Sequence, residues 1–132
     1  MKTHIFRLQP GQDLREELKK FVAENNIQAG FILTCVGSLK KATLRLADEN
    51  EIRTWDEKFE IISLVGTLSQ DGMHLHIGLG DKKGNTIGGH LKEGCVLHTT
   101  AEVVIGESEK HKFSRELDEN TGFKEFKILR RD

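Results

Sequence analysis

Three histidines in a glycine-rich segment are the residues of this chain whose types and spacing best suit chemistry. His74 and His76 are two residues apart on a predicted strand, so their side chains point to the same face of a sheet. A turn predicted at 81–85 sends the chain back antiparallel, and His90 lies about as far behind this turn as His76 lies ahead of it. Three neutral imidazoles with an open fourth position are the ligand set of a catalytic or labile zinc site, and they also suit iron, nickel or copper. We therefore predict a divalent metal site, with zinc as the metal, at His74, His76 and His90.

The same pattern has a plainer interpretation. A His-x-His pair arises often by chance, and paired histidines on an exposed strand are commonly just solvated. The cross-strand position of His90, with Gly88 and Gly89 removing side-chain bulk beside it, favours the metal site. His98 is displaced from the other three and is expected to be a neighbour rather than a ligand.

Three charged residues could serve such a site. Arg45 lies between Leu44 and Leu46, so on an alternating strand it faces away from them and could clamp an anionic ligand; an exposed arginine is the alternative. Glu102 could accept a proton beside a metal-bound water, although such a residue more often pairs with a cross-strand cation. Asp81 could accept a proton or fix a histidine tautomer, and it equally suits a plain turn.

Composition excludes several classes of function. Twenty Lys and Arg against 21 Asp and Glu give a net charge of −1, without the basic surplus of a protein that neutralises DNA phosphates, so DNA is not an expected ligand. No apolar run approaches the roughly 18 residues that span a bilayer, and the first residues lack a secretory signal. Cys35 and Cys95 show no paired spacing, so we expect reduced, packed thiols in a cytoplasmic protein.

Hydrophobic periodicity predicts one helix among seven or more strands. The helix runs from about 13 to 25, with Asp13 as its N-cap and Glu16 completing a capping box. The predicted strands are 3–8, 30–36, 42–47, 59–68, 73–79 and 96–105, with a break at Gly37-Ser38 and a polar turn at 48–50. The charged tail from Glu107 carries interleaved phenylalanines and is expected to form one or two edge strands. These elements predict a single domain over residues 1–132, of α+β class with a strongly bent, largely antiparallel sheet.

Several segments together resemble the PPC domain (plants and prokaryotes conserved). The resemblance covers essentially the whole chain. Its marks are Val36–Leu39 with Leu44-Arg45, Phe59–Thr67, His74–His76 with Leu79 and Asp81, Gly84, Gly88–Leu91 and Thr100–Ile105.

The resemblance implies an α+β fold that assembles as a homotrimer, and it implies that His74, His76 and His90 hold a metal, as in some prokaryotic members. It also implies that Phe59–Thr67 is a surface for protein partners. DNA binding in the plant relatives belongs to an AT-hook, an Arg-Gly-Arg-Pro core that this chain lacks.

Two hypotheses follow from these observations. The first is a trimeric PPC-domain protein with a three-histidine metal site that performs metal-dependent chemistry on a small anionic molecule. The alternative is a non-catalytic interaction and trimerisation module associated with transcriptional regulators, with weak or no DNA binding of its own.

Overall fold

The computed structural model describes residues 1–48 and 50–132, and over these residues it contains one helix and nine strands. In chain order the elements are β1 (Lys2–Leu8), α1 (Leu14–Glu24), β2 (Gly30–Arg45), β3 (Ile52–Trp55), β4 (Phe59–Ser69), β5 (Gly72–Gly80), β6 (Thr86–Leu91), β7 (Val96–Glu107), β8 (His111–Leu117) and β9 (Lys124–Arg130). The turn predicted at 48–50 includes Glu49, which lies outside the described residues.

Helix α1 begins where the sequence places its N-cap. The side chain of Asp13 accepts a hydrogen bond from the backbone N–H of Glu16 at 3.0 Å, which satisfies one of the free donors of the first turn. Leu14, Leu18 and Val22 recur at helical spacing and are buried against the sheet. The predicted helix is therefore confirmed, with both ends within one residue of their predicted positions.

Strand β2 is one continuous element of 16 residues, so the predicted break at Gly37-Ser38 is wrong. Its pairing with β7 shifts register between Gly37 and Leu39, one of three irregularities along the two strands. A β-bulge of this kind bends and twists a strand without ending it. The two strands predicted at 30–36 and 42–47 are thus the two arms of a single bent strand.

The bend lets β2 pair with four other strands. The sheet order is β1-β7-β2-β4-β5-β6, with β3 added at β2, and all pairs are antiparallel. The last residues of β2 also pair with β6, through Leu44 opposite Leu91 and Arg45 opposite His90. The path β2-β4-β5-β6 therefore closes on itself, and the strongly bent antiparallel sheet predicted from the sequence is confirmed.

The core fills this closed path and the space beneath α1. Its largest fully buried side chains are mainly leucines, and they include Leu39, Leu44, Leu68, Leu79, Leu91 and Leu97.

Cys35 and Cys95 are both free and buried, and burial raises the pKa of each thiol to about 11. They pack as small hydrophobic residues, as predicted. Over the described ranges, no helix is long and apolar enough to cross a membrane.

The charged tail forms a β8–β9 hairpin that is a sheet of its own. Two hydrogen bonds from backbone N–H groups of β8 join this hairpin to the body. Phe113 donates to the carbonyl of Gln28 at 2.9 Å, and Arg115 donates to the carboxylate of Asp71 at 2.7 Å. The predicted edge strands are confirmed, and β8 of the hairpin contacts β4 of the body.

Gly66 makes the pairing of β4 with β5 sensitive to a single methyl group. It has a φ of +144°, and a Cβ at this position would overlap the carbonyl oxygen of His74. We expect Gly66→Ala to lower the free energy of unfolding by about 3 kcal/mol, since it adds backbone strain to a steric clash. Gly84→Ala is the matched control, because its φ is +83° and nothing lies within 4 Å of its Cβ position; it should cost roughly 1 kcal/mol. Equal losses in urea titrations would contradict this explanation.

Candidate metal centre

The three histidines lie on one face of two neighbouring strands. His76 on β5 is directly opposite His90 on β6, and His90 is directly opposite Arg45 on β2. Directly opposed residues of an antiparallel pair place their side chains on the same face. His74 shares that face because it lies two residues before His76. The cluster is thus built by a single chain.

The spacing of the imidazoles fits a divalent ion. The ring centroids are 5.0 Å apart for His74 and His76, 5.2 Å for His74 and His90, and 5.5 Å for His76 and His90. One candidate ligand atom from each histidine lies within 4.8 Å of the others. A tetrahedral zinc ion with Zn–N bonds of about 2.0–2.1 Å would hold three ring centroids about 5 Å apart. Small side-chain rotations would therefore bring three nitrogens onto one ion.

Two glycines allow the close approach that positions His90. A Cβ at Gly89 would lie 2.7 Å from the carbonyl oxygen of Arg45, and one at Gly88 would lie 3.0 Å from that of Ile77. Strand β6 can therefore pair with β5 on one side and with the end of β2 on the other. Glycine is the residue that permits such backbone contacts.

The local electrostatics keep two of the imidazoles neutral. Burial lowers the pKa of His90 to about 4, and the nearby Arg45 guanidinium contributes to the same shift. The pKa of His74 is also lowered, first by burial and then by His76 and Arg115. A neutral imidazole has a free nitrogen lone pair, which is the form that binds metals. At neutral pH these two side chains can bind an ion without first losing a proton.

Arg45 stands beside the histidines, where the sequence predicted a ligand-holding arginine. Its Nη2 lies 3.3 Å from Nδ1 of His90. Its Nε is buried and has no hydrogen-bond partner within residues 1–48 and 50–132. A buried donor without an acceptor is unusual in proteins and calls for an explanation.

A cavity of about 460 Å³ opens beside His74 and His90. Three cationic side chains line it, Arg45 from β2 and Arg115 and Lys124 from the hairpin. The remaining lining residues are Asp71, Gly72, Met73, Phe123 and Glu125. The contribution of the hairpin was not predicted from the sequence, because its mixture of charged and phenylalanine residues indicates strands but not which part of the body they cover.

Two expected site residues lie elsewhere. Glu102 is exposed on β7, where its backbone pairs with Arg7 on β1 and Val36 on β2. The carboxylate of Asp81 accepts hydrogen bonds at 2.9 Å from the backbone N–H groups of Lys83 and Asn85, which is the role of a turn residue. In the part of the chain that the structure describes, neither residue lines a cavity beside the histidines.

A curated relative is similar in sequence to nearly the whole of this chain. A bifunctional protein GlmU from Synechococcus sp. (strain JA-3-3Ab) is 48% identical over 128 residues, which are 97% of this chain and 21% of that protein. The chain thus spans about a fifth of the length of this curated relative.

Solved structures share the fold over nearly their full lengths. A hypothetical protein from Salmonella enterica is 39% identical with a TM-score of 0.96, covering 99% of this chain and 95% of that one. A protein from Archaeoglobus fulgidus described as metal-containing is 29% identical with a TM-score of 0.76, covering 96% and 94%. A protein from Bacteroides thetaiotaomicron provisionally described as DNA-binding is 25% identical with a TM-score of 0.84, covering 95% and 91%.

The family model that matches this chain covers residues 1–109, from β1 through the end of β7, and so includes all three histidines and Arg45. It describes the same plant and prokaryote family that the sequence resembles. The chain belongs to the Plants and Prokaryotes Conserved (PCC) domain family.

Proposed function

We propose that this domain binds a divalent metal, zinc in the first instance, through His74, His76 and His90, and that it performs metal-dependent chemistry on a small anionic molecule. The observation that carries the proposal is the convergence of the three imidazoles, two of which, His74 and His90, line a cavity together with Arg45 and Arg115. The metal-containing relative from Archaeoglobus fulgidus supports the same interpretation.

The histidines, Arg45 and Glu125 each have a defined part in this proposal. A zinc ion at the three histidines would lower the pKa of a coordinated water to about 7 and polarise a substrate oxygen. Arg45 orients the anionic group through its guanidinium. Glu125 is the carboxylate that we propose as proton acceptor, in place of Glu102 and Asp81, because it lines the cavity and they do not.

We propose a small anion rather than DNA as the ligand. The net charge of −1 gives no general attraction to a phosphate backbone, and the cationic side chains Arg45, Arg115 and Lys124 lie around a cavity of about 460 Å³. The DNA-binding description of the relative from Bacteroides thetaiotaomicron therefore does not alter this choice.

We also propose that the domain forms a homotrimer through an apolar patch on its outer face. Four large hydrophobic side chains on β2 and β4 are exposed, at Leu33, Val36, Ile62 and Val65. A single exposed hydrophobic residue is ordinary, but a patch on neighbouring strands marks an interaction surface. Ile62 and Val65 belong to the segment Phe59–Thr67, so this surface also supports the second candidate function, docking of a protein partner.

Replacement of one histidine tests the metal site. We expect His76→Ala to abolish stoichiometric zinc binding, because two imidazoles hold zinc far more weakly than three. Elemental analysis of tag-free protein and zinc titration by calorimetry measure this directly. His98→Ala is the matched control, since His98 is exposed on β7, and it should bind one equivalent of zinc. Wild-type protein that takes up no zinc, or equal binding by both variants, would refute the site.

The lowered pKa of His90 predicts how stability depends on pH. The folded metal-free protein keeps His90 neutral down to about pH 4, whereas the unfolded chain binds a proton near the ordinary value of 6.5. Acidification between these values therefore favours the unfolded state, and the stability present above pH 6.5 is lost as the pH falls towards 4. His90→Gln should flatten this loss in urea unfolding curves, while His98→Gln should retain it. The same slope in both variants would contradict the shift.

A charge placed in the outer patch tests the trimer. Light scattering coupled to gel filtration should give three times the chain mass of 14.9 kDa for the wild type. We expect Ile62→Asp to give monomers, because a buried carboxylate without a partner is costly at an interface. Ile128→Asp on β9 is the matched control, since both isoleucines are 60% exposed, and it should remain trimeric. A monomeric wild type would argue against the trimer and favour docking of another protein.

A further inference from the structure

We propose that the β8–β9 hairpin gives the metal centre its ligand specificity, by selecting small dicarboxylates, which are dianions with two separate anionic groups. One anionic group of the ligand would lie at the histidines and Arg45, and the second would bind Arg115 with Lys124 of the hairpin. This inference rests on the proposed function, because it assigns a substrate class to the same metal centre.

The hairpin supplies its residues from outside the segment that defines the family match. That match ends at residue 109, and β8 begins at His111. Four residues of the hairpin nevertheless line the cavity beside His74 and His90: Arg115, Phe123, Lys124 and Glu125. The metal ligands and these four cavity residues thus come from two separate parts of the chain.

Arg115 is held in place before any ligand arrives. Its backbone N–H is bound by Asp71, and its Nη2 donates to Oγ1 of Thr67 at 3.0 Å. Its Cζ also lies 5.3 Å from the ring centroid of Phe126. Thr67 is the direct cross-strand partner of His74, so this hydrogen bond sets the guanidinium beside the metal centre. A side chain already restrained in this way loses less conformational entropy when it binds an anion.

The guanidinium of Arg115 remains available for a ligand. Asp71 binds the backbone of Arg115, and within the described residues no carboxylate forms an ion pair with the side chains of Arg115, Lys124 or Arg45. Guanidinium groups bind carboxylate and phosphate oxygens through paired hydrogen bonds. The buried Nε of Arg45 is a further donor that an anionic ligand would satisfy.

Charge and size together favour a dianion. The cavity has three cationic side chains against the two carboxylates Asp71 and Glu125, and a divalent ion at the histidines would add two positive charges. A monoanion bound at the ion would not reach Arg115 and Lys124, whereas an anion with two separate carboxylates could reach both. A volume of about 460 Å³ lies in the range of pockets that bind small molecules.

Calorimetry on the zinc-loaded full chain tests the selection. The probes are succinate and glutarate as dicarboxylates of two lengths, and acetate as the monoanion. We expect at least one dianion to bind about tenfold or more tightly than acetate, and Arg115→Gln to remove about tenfold of that affinity while changing acetate binding less than about twofold. Arg130→Gln, at the far end of β9, is the matched control and should leave all three affinities unchanged. Lys124→Gln is the second test variant and should weaken only the dianion.

Zinc titration of the same samples separates the possible failures. If wild-type protein binds no zinc, the proposed metal function fails and this inference fails with it. If zinc binds equally to wild type and Arg115→Gln, the metal centre stands. The selection by the hairpin is then wrong if acetate binds as tightly as the dianions, or if wild type and Arg115→Gln bind the dianions equally. Equal dianion affinity in metal-free protein would also overturn the bridging arrangement.

Discussion

The pairing of the end of β2 with β6 is the interaction on which the site depends. It closes the path β2-β4-β5-β6 and sets Arg45, His90 and His76 in one row across three strands. Backbone hydrogen bonds fix the spacing of such a row at close to 5 Å per strand, which matches the separation of imidazoles around one ion. Without the closure, Arg45 on β2 would be separated by β4 from the two histidines on β5 and β6.

The guanidinium groups of Arg45 and Arg115 lie close to the imidazoles of His90 and His74, and their positive charge disfavours protonation of these imidazoles. Arg45 and Arg115 both lower the pKa of a neighbouring histidine, and partial burial acts in the same direction. The imidazoles of His74 and His90 are therefore kept in the form that binds metal, and the two arginines lie beside the place where an anionic ligand would sit. The same two arginines thus favour neutral imidazoles and offer donors to an anionic ligand. The buried Nε of Arg45 has no hydrogen-bond partner among the described residues, which is unusual for a buried donor.

The domain divides into a closed body and an attached hairpin. The body carries the histidines and Arg45 within the family match, while the hairpin adds Arg115, Lys124 and Glu125 to the same cavity. The hairpin is held to the body by few hydrogen bonds, at Gln28 and Asp71 among others, and forms a separate two-stranded sheet. In the proposed function, the closed body would hold the metal and the hairpin would present charged side chains to the ligand.

Local patterns in the sequence determined the elements and the histidine cluster. The N-cap at Asp13, the single helix, most of the strands and the His74–His90 grouping follow from short-range periodicity and from a turn of defined length. Gly37-Ser38 forms a bulge rather than a break, because β7 continues to pair with β2 beyond these residues. The positions of Glu102 and Asp81 away from the cavity, and of Arg115 and Glu125 within it, were decided by tertiary structure. Residue spacing specifies which side chains share a strand face, but only the closure of the sheet and the docking of the hairpin determine which faces meet.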